Sequence, residues 1–262
     1  IEAGEFVGLA GPSGSGKSTL IRLLLGFESA YGGTILFDGI SSRDVPMMQI
    51  RRQMDAVLQD ESLVPGTIRS NIVGMFDFRE EEAWAAARVA QLADEIAAMP
   101  MGMQTFASDR VLSTSQRQRL LIARAVVRRP KILILDEAMS ALDEAMQTRL
   151  LNALRHWAAG TAGMTCVIVS HRPSLLAQMD RVFVFEHGAL VDTRKGCYDA
   201  GDSGVAAFSN AGRIASPIPF RTEAVERLAS PQAMDQLPRL ACAGPAWGLL
   251  ALGIAAAGAG AY

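Results

Sequence analysis

Cysteine is scarce in this 262-residue chain: Cys166, Cys197 and Cys242 are odd in number and far apart. That pattern offers neither a disulfide framework nor a paired-thiolate metal site, and reduced thiols in a cytosolic compartment are the simpler reading. An excess of either charge is lacking too, since 25 Lys+Arg stand against 27 Asp+Glu for a net −2. Without a positive field to hold a phosphate backbone, the composition argues against a general nucleic-acid coat. Aromatic residues make up only 6 %, and none interleaves with the Arg-rich stretch 117–129, as a single-strand binder would need. No internal repeat is evident. What remains is a chain that is half hydrophobic and one-fifth charged, which excludes disorder for most of its length. At ~150 residues per domain it holds one large domain, or one and a fraction.

From Glu5 to about Asp192, short apolar runs alternate with longer amphipathic ones, as strands alternate with crossover helices in a parallel sheet. EFVGLA (5–10), KILILD (131–136) and MTCVIVS (164–170) are near-continuously apolar and belong at a sheet centre, buried on both faces. EEEAWAAARVAQLADEIAAM (80–99) starts acidic and sets Trp84, Val89, Leu92 and Ile96 on one stripe, so one helix ended by Pro100 is expected. RVFVFEHGALVD (181–192) reads as a hairpin turning at His187-Gly188, an antiparallel edge to the parallel core. Small, polar residues after Asp192 suggest a domain exit near Gly212 and a linker. The run 241–262 has no charge and about the ~20 apolar residues of a membrane helix. Arg221, Arg227 and Arg239 on its N-terminal flank would keep that side cytoplasmic. Residue 1 is Ile, only ten residues before a glycine-rich loop, so the chain is expected to start inside a domain.

The chemistry concentrates in two places. Gly11, Pro12, Ser13, Gly14, Ser15, Gly16, Lys17, Ser18 and Thr19 follow a strand and precede a helical run, which is GxxxxGK[ST] in its required context. The glycines let N–H groups curl into an anion nest, and the helix start adds about half a positive charge. Lys17 would reach the β- and γ-phosphates and Ser18 would ligate Mg²⁺. The second place is the end of KILILDE, where Asp136 and Glu137 should face that nest, because open α/β sheets bind ligands at the C-terminal ends of their strands. Asp136 suits the Mg²⁺ shell, leaving Glu137 to act as general base on water. Two acids after a strand also suit a helix N-terminus; both readings can hold together. The arginines Arg117, Arg119, Arg124, Arg128 and Arg129 read as a solvated helix face.

With these segments on the page, the chain resembles the nucleotide-binding domain of an ABC transporter from residue 1 to about 212. Ser113, Thr114, Ser115 and Gln116 in LSTSQRQRLLIARAVVRRP (112–130) resemble the signature, with Thr114 and Ser115 standing where the family has glycines. Ser140, Ala141, Leu142 and Asp143 resemble the D-loop, Gln59 sits where the family has its Q-loop, and Ser170-His171-Arg172 matches the switch histidine. The resemblance implies a P-loop NTPase of α/β class: a mainly parallel RecA-like sheet, an ABC-type helical subdomain at about 62–128 and a truncated antiparallel β edge, with a C-terminal apolar helix after the linker 213–240. It implies ATP hydrolysis with Mg²⁺ held by Ser18, Gln59 and Asp136, and with Glu137 and His171 as the catalytic pair. It also implies a head-to-tail dimer in which Ser113 to Gln116 close on the partner's ATP, with a transmembrane domain upstream on the same chain. The family's adenine-stacking aromatic would lie before residue 1, so ATP contact here would run mainly through phosphates.

VPGTIRSNI (64–72) resembles the Q-loop continuation of exporters rather than importers, and RRQMDAVLQD (51–60) with MPMGMQT (99–105) resembles bacteriocin-type peptide exporters. The segment before the signature, FASDRV, departs from the glycine-rich acidic stretch of exporters. FRTEAVERLASPQAMDQLPRL (220–240) and the apolar run resemble the start of a membrane-fusion adaptor. These likenesses imply export of a bacteriocin-like or modified peptide at the cytoplasmic face of a bacterial inner membrane. Two alternatives stay open: a module that holds ATP with weakened or absent turnover, and a soluble, non-transport ABC ATPase.

Overall fold

A computed structural model describes residues 1–108, 110–161, 163–195 and 250–253. In chain order the elements are β1 (Phe6–Ala10), α1 (Lys17–Leu24), β2 (Thr34–Phe37), β3 (Ile40–Ser41), α2 (Met47–Arg51), β4 (Met54–Val57), β5 (Gly66–Thr67), α3 (Ile68–Val73), α4 (Glu80–Val89) and α5 (Ala93–Ala97). They continue with β6 (Phe106–Ala107), α6 (Thr114–Val127), β7 (Ile132–Asp136), α7 (Glu144–Gly160), β8 (Thr165–Val169), α8 (Pro173–Leu176), β9 (Arg181–Glu186), β10 (Ala189–Lys195) and β11 (Leu250–Gly253).

The main sheet runs β10-β9-β1-β8-β7-β4. All its pairings are parallel except β10 on β9. Each of the three expected central strands is present, and the reason is visible in the burial. Val7 and Leu9 of β1 pack toward α1 with Ile134, Val167 and Val169, while Phe6 and Ala10 join Leu133, Leu135, Cys166 and Ile168 on the opposite face with α6 and α7. A strand with helices on both faces has no polar side to show. Each fully buried aliphatic of this kind contributes about 1.5–3 kcal/mol.

At the β9–β10 turn His187 has φ 47° and Gly188 has φ 78°, the paired left-handed geometry of a two-residue hairpin, as expected for the edge. The helix expected over 80–99 is corrected to two. Gln91 sits at φ 56°, and Leu92 N–H donates to Ala87 O at 2.9 Å, a Schellman closure that ends α4. The break turns Leu92 and Ile96 into the core beside Ala83, Ala86 and Ala87, while Trp84 and Val89 are only partly buried.

The solvated-face reading is corrected for Arg119 and Arg124, whereas Arg128 and Arg129 are exposed as expected. Arg119 is 3 % exposed and pairs with Glu95 at 2.7 Å, Arg124 pairs with Glu61 at 3.2 Å and Arg128 with Asp55 at 3.0 Å. Spaced along α6, these pairs fasten it to α5, to the loop after β4 and to β4 itself. Their partners lie 24, 63 and 73 positions away in sequence, beyond the reach of local pattern reading.

Within the apolar run 241–262, Leu250–Gly253 is extended and pairs antiparallel with β2, which corrects the expected helix for those four residues. The edge of β2 presents unpaired backbone groups that an added strand satisfies. The rest of that run, the linker 213–240 and the boundary near 212 lie outside the described residues. Among the described residues no helix is long and apolar enough to cross a membrane.

Candidate functional site

Four neighbouring parallel strands deliver the site. In the order β1, β8, β7 and β4 their C-terminal ends lead into Gly11–Thr19, Ser170-His171, Asp136-Glu137 and Gln59. All therefore emerge at one edge of the sheet, and the acid pair lies on the same side as the lysine. Lys17 senses both carboxylates electrostatically.

The loop 11–16 is shaped by its glycines. Gly14 and Gly16 have φ 77° and 97°, and at Gly11, φ 141°, a Cβ would lie 2.1 Å from the Phe185 carbonyl oxygen of β9. Gly188 N–H donates to Ser15 O at 3.1 Å, so the β9–β10 hairpin props the loop from behind. The start of α1 has no side-chain cap at Gly16, which leaves its first N–H groups for a ligand. Lys17 is buried, its Nζ donating to the Gly11 and Pro12 carbonyls at 2.8 Å each and to Ser15 Oγ at 3.2 Å.

Burial lowers the Lys17 ammonium below its ordinary range, against the pull of Glu137 and Asp136. Asp136 is also buried. That burial, followed by the Glu137 charge, raises its carboxyl above the usual range, while Lys17 and a hydrogen bond with Ser18 oppose the rise. A buried ammonium inside a ring of carbonyls, an uncapped helix start and a desolvated acid touching a hydroxyl fit a phosphate chain with its divalent cation.

Glu137 follows β7 with φ 52°, a left-handed turn of the kind held in place at functional sites. It is gripped from two sides: His171 Nε2 lies 2.9 Å from Oε1, and Gln59 Nε2 donates to Oε2 at 3.3 Å. A cleft of about 100 Å³ beside it is lined by Glu137, Ser140, Ser170, His171 and Arg172 among others. That is room for water. Gln59, expected in the Mg²⁺ shell, thus has its amide nitrogen on Glu137 in this structure.

Ser113 to Gln116 do not join this group; their hydrogen bonds run to α5 and within α6. Ser113 caps α6, its Oγ accepting from Gln116 N–H at 3.1 Å while Gln116 Oε1 accepts from Ser113 N–H at 2.9 Å, a reciprocal capping box. Gln116 Nε2 then donates to Glu95 at 2.7 Å. Thr114 and Ser115 already belong to the helix, where any L-residue is at ease, so their replacement of glycine leaves this backbone unstrained.

Sequence reasoning missed three sets of contacts. Gln118 donates to Ser140 Oγ and accepts from Ala141 N–H, both at 2.9 Å. Arg172 Nη2 donates to Ser140 O at 2.7 Å, and its Nη1 donates to Leu142 O. Gly188 supports the loop 11–16. Only the turn signal at Gly188 was visible in the residues themselves, because the other contacts join segments distant in the chain.

Comparison with known proteins adds the following. The family model described as ABC transporter matches residues 1–140. An ABC transporter ATP-binding protein of Bacillus subtilis, YwjA, is 40 % identical over 193 residues, 72 % of this chain and 33 % of its own. An ATP-dependent lipid A-core flippase of Burkholderia orbicola is 41 % identical over 194 residues, 73 % of this chain and 32 % of its own. The leptomycin B resistance protein pmd1 of Schizosaccharomyces pombe is 39 % identical over 196 residues, 73 % and 14 % respectively. Among solved structures, a bacterial Atm1-family ABC exporter with ATP bound superposes with TM-score 0.69 at 37 % identity, covering 74 % of this chain and 34 % of that one. The chain spans about a third or less of the length of these relatives.

Proposed function

Since this chain belongs to the ABC transporter family, as an ATPase domain of the export type, we propose that it powers export by binding ATP at Gly11–Thr19 and hydrolysing it with Glu137. The observation that carries this reading is the convergence of the loop, Asp136, Glu137, His171 and Gln59 at one sheet edge, with Glu137 held by His171 at 2.9 Å.

Lys17 exchanges its contacts with the Gly11 and Pro12 carbonyls for the β- and γ-phosphate oxygens of the substrate. The N–H groups of the loop and of the α1 start bind the remaining phosphate charge. Ser18, Asp136 and Gln59 are the residues for Mg²⁺, whose contribution is to neutralise phosphate charge. Glu137 takes a proton from the water that attacks the γ-phosphorus, and His171 Nε2, on Glu137 Oε1 before ATP binds, turns its N–H to the γ-phosphate once the nucleotide is in place. The products are ADP and inorganic phosphate.

The working unit is a head-to-tail pair of these domains, each offering Ser113 to Gln116 to its partner's ATP and Ser140 to Asp143 to the shared interface. They act beneath a transmembrane domain at the cytoplasmic face of a bacterial inner membrane, with a membrane-fusion adaptor as a further partner. The cargo, a bacteriocin-like or modified peptide, is read from residues 51–60 and 99–105 together with the adaptor-like stretch 220–240; two of the relatives are named as a lipid A-core flippase and a leptomycin B resistance protein.

Replacing Glu137 by Gln tests the core of this reading. ATP binding is retained while hydrolysis falls at least about 100-fold, the usual contribution of a general base. Lys17→Ala instead lowers affinity for the triphosphate. Hydrolysis by Glu137→Gln at the parent rate would falsify the assignment of the base.

A further inference from the structure

We propose that Gln118 is a positioning residue for hydrolysis, linking the start of α6 to the loop that follows the general base. The inference rests on the functional reading above, which gives the start of α6 a nucleotide to touch. It goes further by naming how that contact reaches the chain's own Glu137.

The loop 137–143 is tied down by hydrogen bonds within itself and to its neighbours. Ser140 N–H donates back to Glu137 O at 3.0 Å, and Leu142 N–H to Met139 O at 3.2 Å. Gln147 Nε2 donates to Met139 O at 2.8 Å, and Asp143 caps α7 by accepting from Met146 N–H at 2.7 Å. Arg172, next to His171, donates to the Ser140 and Leu142 carbonyls. The Ser140 hydroxyl and Ala141 N–H are both bonded to the single amide of Gln118.

Gln118 lies one helical turn beyond Thr114 and Ser115 on a 14-residue helix. A rigid helix moves as a body, so closure of its first turn on the partner's nucleotide pulls or releases residues 140–141. Of those residues Ser140 is bonded through its N–H to the Glu137 carbonyl, and the left-handed turn at Glu137 fixes where the carboxylate points. The other end of the loop reaches His171 through its neighbour Arg172. One amide thus couples the contact made in trans to the aim of the base in cis.

Two substitutions separate hydrogen bonding from packing. Gln118→Leu keeps the volume and loses both bonds. Gln118→Glu keeps an acceptor for Ala141 N–H, and the Ser140 hydroxyl can rotate to donate to it. The expected result for the full chain is that Q118L lowers kcat for ATP hydrolysis about tenfold, with half-saturating ATP within about twofold of the parent and the Hill coefficient drawn toward one, while Q118E stays within about threefold of the parent. If Q118L matches the parent in rate and cooperativity, or if Q118E is as slow as Q118L, the proposal is overturned. Ser140→Ala, which removes one bond of the two, gives an intermediate rate and keeps the test open should Q118L fail to fold. Failure of the underlying reading looks different: E137Q alone would not dimerise with ATP, whereas failure of this inference leaves ATP-dependent dimerisation intact in both E137Q and E137Q/Q118L.

Discussion

At the scale of the residue, glycine in the phosphate loop has two separable causes. Gly14 adopts φ 77° with open space around it, whereas a side chain on Gly11 would meet the Phe185 carbonyl at 2.1 Å. Gly14→Ala carries only backbone strain of about 1–2 kcal/mol. Gly11→Ala must also displace β9, so a nucleotide titration should record at least a tenfold loss of ATP affinity for Gly11→Ala and a smaller one for Gly14→Ala. Asp55 provides a test in pH. Burial pushes its carboxyl up to about 6, even with Arg128 3.0 Å away and the Ala56 N–H donating to it. The folded state therefore holds this proton more tightly than the unfolded chain, and the stability it brings is lost as pH rises from about 4 through 6. Asp55→Asn removes that slope. Relative to the parent, the unfolding free energy of the variant from urea melts should improve by about 2–3 kcal/mol between pH 4 and pH 7.

At the scale of the element, α6 is held by long-range ion pairs in addition to its apolar face. Arg119 is buried under Glu95, which also accepts from Gln116 of the capping box. Burial would raise the Glu95 carboxyl, but the hydrogen bonds from Arg119 and Gln116 hold it below its ordinary range. Arg119→Met should cost about 2 kcal/mol in denaturant melts. That is less than the ~3–5 kcal/mol of a fully buried pair, because the Glu95 side chain is 39 % exposed. Arg119→Met with Glu95→Leu should recover most of the loss, since no charge is then left without its partner. A double variant no more stable than Arg119→Met would sink this account. The same element explains why local reading failed here: a polar stripe on a helix looks alike whether it meets water or distant carboxylates. The helix break at Gln91 was hidden for a related reason, since the Ala-rich run satisfies helical periodicity straight through it and only the burial of Leu92 and Ile96 selects the turn.

At the scale of the whole molecule, the parallel sheet places the loop 11–16 at one edge, while the hydrogen bonds of Ser113 to Gln116 run within α6 and to α5, so under the proposed function each copy offers two segments that its own chain does not join. Two copies related head to tail would satisfy both. In sedimentation with ATP, the Glu137→Gln chain should shift from 28.0 kDa toward twice that mass, and Lys17→Ala should remain at the lower value. A Glu137→Gln chain that binds ATP and stays at the lower mass would remove the dimer from the scheme.

The amino-acid sequence by itself determined the phosphate loop, the acid pair, the central strands and the His187-Gly188 hairpin. Each depends on residues adjacent in the chain: glycines at positive φ, apolar runs too long for a one-sided strand, carboxylates at a strand's end. Tertiary structure alone decided what those residues touch. The hairpin's support of the phosphate loop, the arginine pairs along α6 and the grip of Gln118 and Arg172 on residues 140–142 join segments tens of positions apart. Their formation depends on strand order and helix packing, and neither can be read from a neighbouring residue.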